Sequence, residues 1–225
     1  MATGESWLGP LRPFVHARLP PAPASVIEIG CGPAGGFVPA LRELGYEAVG
    51  VDRNAPDGSD FEHTDFEQYE PLRPVDAIVA SRSLHHVADV DDVLDRAVLA
   101  LRPGGTIVVA EWAWERFDEA TARWCFARLH PSPANEPGWL ERRREGWLTS
   151  GETWPAYFEK WAEGHGLHRS DQILAGLDAR FERTLCSYAP YFFADLAVGS
   201  ERDEQAAIDA GEIRATGIRY AGTLR

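Results

Sequence analysis

A chain of 225 residues with 44% apolar content is long enough for one elaborated domain with a real core, and unlike a disordered sequence. Its net charge of −13 lacks the basic footprint of nucleic-acid binders and disfavours an anionic membrane surface. No basic-then-apolar start marks a secretory leader, no apolar run nears the ~20 residues of a membrane span, and the distant Cys31, Cys125 and Cys186 form neither a metal spacing nor a disulfide framework, so a cytoplasmic protein is expected.

In chain order, residues 1–24 read as a short amphipathic helix on Trp7, Leu8, Leu11, Phe14, Val15 and Leu19. Pro10 and Pro13 are expected to break it, and Pro20, Pro21 and Pro23 to end it. This cap is placed to cross a ligand mouth. His16 on it is a candidate substrate contact, with solvated surface as the plainer reading.

Val26-Ile27-Glu28-Ile29 suits a buried parallel strand, and Gly30-Cys31-Gly32-Pro33-Ala34-Gly35-Gly36 then turns abruptly. Glycines there let the backbone approach a ligand where a Cβ would collide. Phe37, Val38, Leu41 and Leu44 follow at helical spacing. Strand, glycine loop and helix open an α/β nucleotide-binding sheet. Gly30-x-Gly32-x-x-Gly35 matches a dinucleotide fingerprint, which alone is weak evidence. Glu28 argues the other way: a carboxylate beside a pyrophosphate cradle is unfavourable, whereas a cofactor with a cationic group is welcome. Glu28 as the cap of a nearby turn stays open.

Glu47–Asp52 reads as strand two, with Asp52 at its end, 22 residues after Gly30. An acid there accepts hydrogen bonds from two ribose hydroxyls. Phe61–Phe66 fits a short third strand ending in Asp65-Phe66. Asp65 suits an adenine amino group and Phe66 the ring, with an N-cap and a core aromatic nearly as good. Val75–Ala80 is strand four and runs into Ser81-Arg82-Ser83-Leu84-His85-His86-Val87. Asp89 caps a helix from Val90 to Leu101, which Pro103-Gly104-Gly105 stops, and Thr106–Glu111 is strand five. The crossovers imply a parallel sheet. Ligands bind at the carboxyl ends of such strands, where Gly30, Asp52, Asp65, Ser81 and Trp112 fall.

Beyond residue 111 the composition shifts: seven of the eight tryptophans lie between 112 and 161. Helical stretches are expected at about 115–129, 137–146 and 152–165, the first two parted by Pro131, Pro133 and Pro137. Such aromatic density suits either a flat apolar ligand or a helical cap with its own core, and Trp112, Trp114 and Trp139 are candidate substrate contacts. Arg142-Arg143-Arg144 reads as a solvated face. Phe181–Tyr188 and Ile218–Gly222 are late strands suited to an antiparallel pair at the sheet edge, with a helix at about 201–211 between them. No metal site is visible: the acids 89, 91 and 92 look like a helix N-terminus.

Taken together, Glu28-x-Gly30-x-Gly32, Asp52, Asp65-Phe66, Ser81-x-x-Leu84-His85-His86 and Leu101-Arg102-Pro103-Gly104-Gly105 resemble a class I S-adenosylmethionine-dependent methyltransferase. Leu84-His85-His86-Val87-x-Asp89 resembles the small-molecule branch that includes quinone-biosynthesis methyltransferases. One departure is plain: the usual third loop glycine falls at Ala34, and Gly35-Gly36 follow.

The resemblance implies one domain over 1–225, a Rossmann-like seven-stranded, mostly parallel sheet with helices on both faces and an antiparallel edge strand. A 1–24 cap and a 112–180 tryptophan-rich insertion on the substrate side would complete it. It implies S-adenosylmethionine as cofactor and S-adenosylhomocysteine as product. Glu28 and the Gly30–Cys31–Gly32 backbone, with Gly35, would hold the methionine part. Asp52 would hold the ribose with Arg53 beside the adenine, Asp65 and Phe66 the adenine, and Ser81 the ammonium, with Arg82 and His86 on the reaction side. Methyl transfer from a sulfonium is an in-line displacement in which the protein aligns the nucleophile and excludes water. His86, then His85, are the candidate bases for a protonated acceptor. The expected partner is a small molecule, with no nucleic acid or membrane, for a monomer or homodimer. An NAD(P)-linked oxidoreductase and a non-catalytic metabolite-binding protein are the alternatives.

Overall fold

Strand β1 (Ser25–Ile29) forms at the centre of the sheet because Val26, Ile27 and Ile29 are buried on both of its faces. The computed structural model describes residues 4–129, 137–196 and 200–225. Pro131 and Pro133, expected between two helices, lie outside the described residues.

Helix α1 (Gly4–His16) precedes β1 and runs through Pro10 and Pro13 without a break. Trp7, Leu11, Val15 and, just beyond the helix, Leu19 form its buried stripe, while Pro13 is exposed on the opposite side. A proline removes one N–H donor. At a surface helix anchored by such a stripe that loss does not decide the outcome.

The remaining elements are α2 (Val38–Glu43), β2 (Glu47–Val51), β3 (Phe61–Glu62), β4 (Val75–Ser81), α3 (Val90–Ala100), β5 (Leu101–Trp112), α4 (Glu119–Phe126), α5 (Trp139–Ser150), α6 (Trp154–Gly164), α7 (Ser170–Arg180), β6 (Phe181–Ala189), α8 (Glu201–Asp209) and β7 (Gly217–Leu224). The seven strands form one sheet in the order β3-β2-β1-β4-β5-β7-β6. The ladders from β3 to β5 are all parallel, and the β7–β6 edge brings in the antiparallel strands, as expected from the late alternating segments. The order reverses at β1 and β4, so the crevice for a ligand opens above their carboxyl ends.

Several boundaries differ from the sequence reading. The third strand stops at Glu62, and Phe66–Gln68 forms a short 3-10 turn instead of its end. Leu44 is exposed because α2 ends at Glu43. Pro103-Gly104-Gly105 does not follow a helix end at Leu101: α3 ends at Ala100, and the segment bulges within β5. Leu101 pairs with Val75 and Thr106 with Ala77, so the residues between loop out, with Gly104 at φ +73°. Arg102 at that bulge bonds Asp76 at 2.8 Å. Hydrogen bonds from Ser25 hold the Asp76 carboxyl below its usual range. Asp89 caps α3 as expected, accepting from the N–H groups of Asp91 and Asp92.

By contacts the chain divides into two units. The sheet unit comprises residues 8–111, 168–187 and 218–225. It includes α7, which the composition had grouped with the tryptophan-rich insertion. Here α7 packs on α3, with Ile173 and Leu177 buried and Arg180 bonded to Asp91 and Asp95 at 2.9 and 2.6 Å.

The second unit comprises the described residues of 1–7, 112–167 and 188–217, and its core is aromatic. Trp154 is fully buried, stacks on Phe158 at 4.9 Å between centroids, and donates its indole N–H to the Phe117 carbonyl at 2.6 Å. Glu204 on α8, also fully buried, accepts from the N–H groups of Tyr191 and Phe193 at 2.8 and 2.7 Å, which fixes the Tyr191-Phe192-Phe193 segment in this core. Arg143 does not belong to a wholly solvated face: its guanidinium lies 4.6 Å from the Trp161 ring centre, while Arg142 and Arg144 are exposed.

Candidate functional site

At the carboxyl ends of β1, β2 and β4 the sheet unit contains a cavity of about 670 Å³. Ile29 and Gly30, where β1 enters the glycine loop, form part of one wall, while Gly32 and Gly35 lie off the lining. Gly30 donates to the Val51 carbonyl at 2.8 Å, Gly35 to that of Gly32 at 3.1 Å, and Gly32 to the Asp52 carboxylate at 3.0 Å. Gly30, Gly32, Gly35 and Gly36 all have positive φ, which an L side chain rarely adopts. The shift of the third glycine past Ala34 has a steric reason: a Cβ on Gly36 would lie 2.3 Å from a Glu28 carboxylate oxygen.

Glu28 lies behind this loop and does not line the cavity. Its carboxylate accepts from the Phe37 N–H at 2.7 Å and lies 3.5 Å from the Ser81 hydroxyl, which donates to it. It is therefore the clasp that closes the turn onto α2, the alternative its position had left open. Burial pushes its pKa up to about 8. Burial thus favours the protonated form of the clasp. Cys31, buried with its thiol pushed up to about 12 by burial, points at Gly50, where an added Cβ would meet Sγ at 2.7 Å. Only its backbone belongs to the loop.

Asp52, at the end of β2, lines the cavity and accepts from the Gly32 and Asn54 N–H groups at 3.0 and 2.7 Å. Arg53 and Asp65 also line it, joined by an ion pair in which Arg53 Nη2 bonds Asp65 Oδ1 at 2.6 Å. Asp65 precedes the 3-10 turn without capping it through its side chain. Phe66 is buried beneath this wall beside Tyr69.

The opposite wall is the Ser81–Asp89 segment. Ser81 itself is buried and directed to Glu28, outside the lining. Arg82, on the wall, is held at φ +54°, with its N–H bonded to the Ala110 carbonyl at 2.9 Å. Strained backbone of this kind persists where its surroundings impose it. His86 lines the cavity and is exposed to it.

His85 is not on the lining: it is buried, with Nδ1 paired to the Glu111 carboxylate, and its ring centre lies 4.0 Å from that of His86. The other Glu111 oxygen accepts from the Leu84 N–H at 3.1 Å. His168 closes the back of the segment, donating its N–H to the His85 carbonyl at 3.1 Å and bonding the Val87 carbonyl through Nε2 at 2.8 Å.

The cavity collects Gly30, Asp52, Arg53, Asp65, Phe66, Arg82 and His86 of the expected site residues. His16 packs against Tyr46 at 6.3 Å between ring centres and is not on the lining. Trp112, Trp114 and Trp139 belong to the aromatic core of the second unit, where Trp112 stacks on Tyr191 and meets Trp139 at 5.5 Å between ring centres.

Sequence reasoning missed Ser83, Asn54, Glu67 and Asp92 on the lining, and Glu111 beneath it. Glu111 carried a readable signal, an acid at the end of a buried strand, which is the signal that singled out Glu28. The lining carries the carboxylates of Asp52, Asp65, Glu67, Asp89 and Asp92 against the cations Arg53 and Arg82. Such a wall disfavours a pyrophosphate and favours a ligand with positive charge.

Residues 8–165 match a family described as a methyltransferase domain. Over 98 residues the chain is 32% identical to a ubiquinone biosynthesis O-methyltransferase of Bradyrhizobium sp. (strain ORS 278), an alignment covering 38% of each protein, so the match spans well under half of that relative. Among solved structures, the N-methyltransferase NodS of Bradyrhizobium japonicum WM9 in complex with S-adenosyl-L-homocysteine is similar with TM-score 0.56 and 14% identity, over 96% of this chain and 86% of that one. A geranyl diphosphate C-methyltransferase of Streptomyces coelicolor A3(2) is similar with TM-score 0.53 and 16% identity, over 96% and 80%. At these identities the structural likeness is one of fold.

Proposed function

The chain belongs to the methyltransferase domain family, and on that premise we propose that it transfers a methyl group from S-adenosylmethionine to a small-molecule acceptor, a secondary metabolite or aromatic compound. The observation that carries this reading is the acid-lined cavity above the glycine loop at the β1–β4 switch point. The residues present fit the cofactor. Gly30 brings bare backbone to the cavity wall, Asp52 offers paired acceptors for ribose hydroxyls, and the carboxylates around the cavity suit an ammonium and a sulfonium. Bound there, S-adenosylmethionine supplies a methyl group activated on sulfur.

The chain's own residues then have distinct tasks. Asp65 and Phe66 take the adenine edge and face, and Asp65 exchanges its Arg53 partner for the adenine amino group. Arg82 and His86 stand on the reaction side. His86 accepts the proton of an acceptor hydroxyl or amine at its ring nitrogen. His85, paired with Glu111 under the segment, positions His86. Similar proteins named for ubiquinone biosynthesis and for geranyl diphosphate support a free metabolite as acceptor. The described residues contain no helix long and apolar enough to cross a membrane, and three free thiols fit a reducing cytoplasm.

The test is a methyl-transfer screen with labelled S-adenosylmethionine against a metabolite pool of the native host, paired with calorimetric titration of S-adenosylmethionine and NADH. Label transfer and binding of the sulfonium cofactor alone are expected. NADH binding without S-adenosylmethionine binding would replace this reading by an oxidoreductase, and cofactor binding with no labelled product by a non-catalytic binding protein.

A further inference from the structure

Ser83 occupies the position from which a serine ordinarily caps a helical turn, just before the 3-10 turn Leu84–His86, yet its hydroxyl makes no capping bond. The bonds it would make are supplied by others. The Leu84 N–H is taken by Glu111 at 3.1 Å, and the His86 N–H by the Ser83 backbone carbonyl at 3.0 Å. The Ser83 hydroxyl oxygen is buried and has no hydrogen-bond partner among the described residues. A buried hydroxyl without a partner destabilises the chain that carries it, and an alanine would remove that cost. The residue nevertheless stands on the cavity wall.

Its place in the sheet says which end of a ligand it meets. Strand order β3-β2-β1-β4 puts Asp65 and Asp52 on one side of the glycine loop and Ser83, beyond the end of β4, on the other. Gly30 comes so close to Ser83 that a Cβ on it would lie 2.4 Å from Ser83 Cβ, so the loops after β1 and β4 touch here. With the nucleoside on the Asp52 side, the amino-acid end of the cofactor falls on the Ser83 side. A serine hydroxyl donates to a carboxylate or accepts from an ammonium, and it turns about one bond among three staggered positions without backbone movement.

Resting on the methyltransferase reading, we propose that the Ser83 hydroxyl anchors the charged amino-acid end of the cofactor. The cost of leaving it without a partner in the free protein is offset on binding.

The experiment titrates the full chain and its Ser83→Ala variant with S-adenosylhomocysteine and with 5′-methylthioadenosine, which lacks the amino-acid end, and records melting without ligand. In Ser83→Ala, affinity for S-adenosylhomocysteine should fall about tenfold, as for one hydrogen bond to a charged group. Affinity for 5′-methylthioadenosine should stay the same, and the ligand-free variant should melt at or above the parent's temperature. Ser83→Cys, similar in size but a weak donor, should bind like the alanine variant. Unchanged S-adenosylhomocysteine affinity, equal losses for both ligands, or a lower melting temperature in Ser83→Ala would each overturn the assignment. Failure of the parent to bind S-adenosylhomocysteine would instead overturn the cofactor reading beneath it, and this assignment with it.

Discussion

Adjacent histidines, His85 and His86, have the same side chain and opposite surroundings. His86 opens on the cavity, whereas His85 is buried against Glu111. His86→Ala is therefore expected to lower turnover by ~10²-fold or more while leaving cofactor affinity within a few-fold. Single-turnover rates beside calorimetric affinities check this, and an unchanged rate would remove His86 from the role of base. Glu28 makes a different prediction. Its pKa is about 8 folded against an ordinary 4.5, so the folded chain holds the proton more tightly than the unfolded one. Its favourable contribution is complete below about 4.5 and is lost as pH rises through about 8. Glu28→Gln, which mimics the protonated clasp, should stay close to the parent's melting temperature at about pH 5 and exceed it by ~10 °C at about pH 9. Parallel pH dependence in the two proteins would show that Glu28 is ionised in the fold. The sequence marked Glu28 as exceptional but assigned it to the ligand. That a buried acid clasps its own loop depends on where Phe37 N–H and Gly36 come to lie, which spacing alone does not reveal.

At the scale of elements, the glycine loop and the segment after β4 make the site between them. Gly36 tests the loop. Its φ is +56° and an added Cβ would strike Glu28 at 2.3 Å, whereas Gly45, at φ +86°, has nothing nearer than 3.9 Å. Both alanine variants carry the backbone penalty, but only Gly36→Ala adds the collision. Gly36→Ala should thus cost about 2 kcal/mol more than Gly45→Ala in urea denaturation and weaken cofactor binding, which Gly45→Ala should not. Equal losses would refute the tight clasp. Most elements were legible from apolar periodicity and turn residues: β1, β2, β4, α3 and the late strands fall within a few residues of expectation. The exceptions share a cause. The prolines in α1, the end of β3 and the bulge at Pro103-Gly104-Gly105 are places where burial and pairing with a neighbour outweigh local preference.

For the whole molecule, the cofactor reading predicts stabilisation by ligand. At a hundredfold excess over its dissociation constant, S-adenosylhomocysteine should add ~2.7 kcal/mol and raise the melting temperature by ~5–10 °C, with no rise from NADH. A thermal-shift series checks this, and an equal response to NADH would count against the acid-lined cavity as the selective element. The sequence by itself determined the sheet, the glycine loop, Asp52 at the end of β2 and the methyltransferase resemblance, because these rest on short-range patterns of burial, turning and charge. Only the tertiary structure decided which of the marked residues meet. It turned Glu28, Ser81 and His85 inward, put Trp112, Trp114 and Trp139 into an aromatic core, and brought Ser83 against Gly30 at the cavity wall. The physical reason is that strand order, β3-β2-β1-β4-β5-β7-β6, sets which loops become neighbours, and a side chain's role follows from those neighbours rather than from its place in the chain.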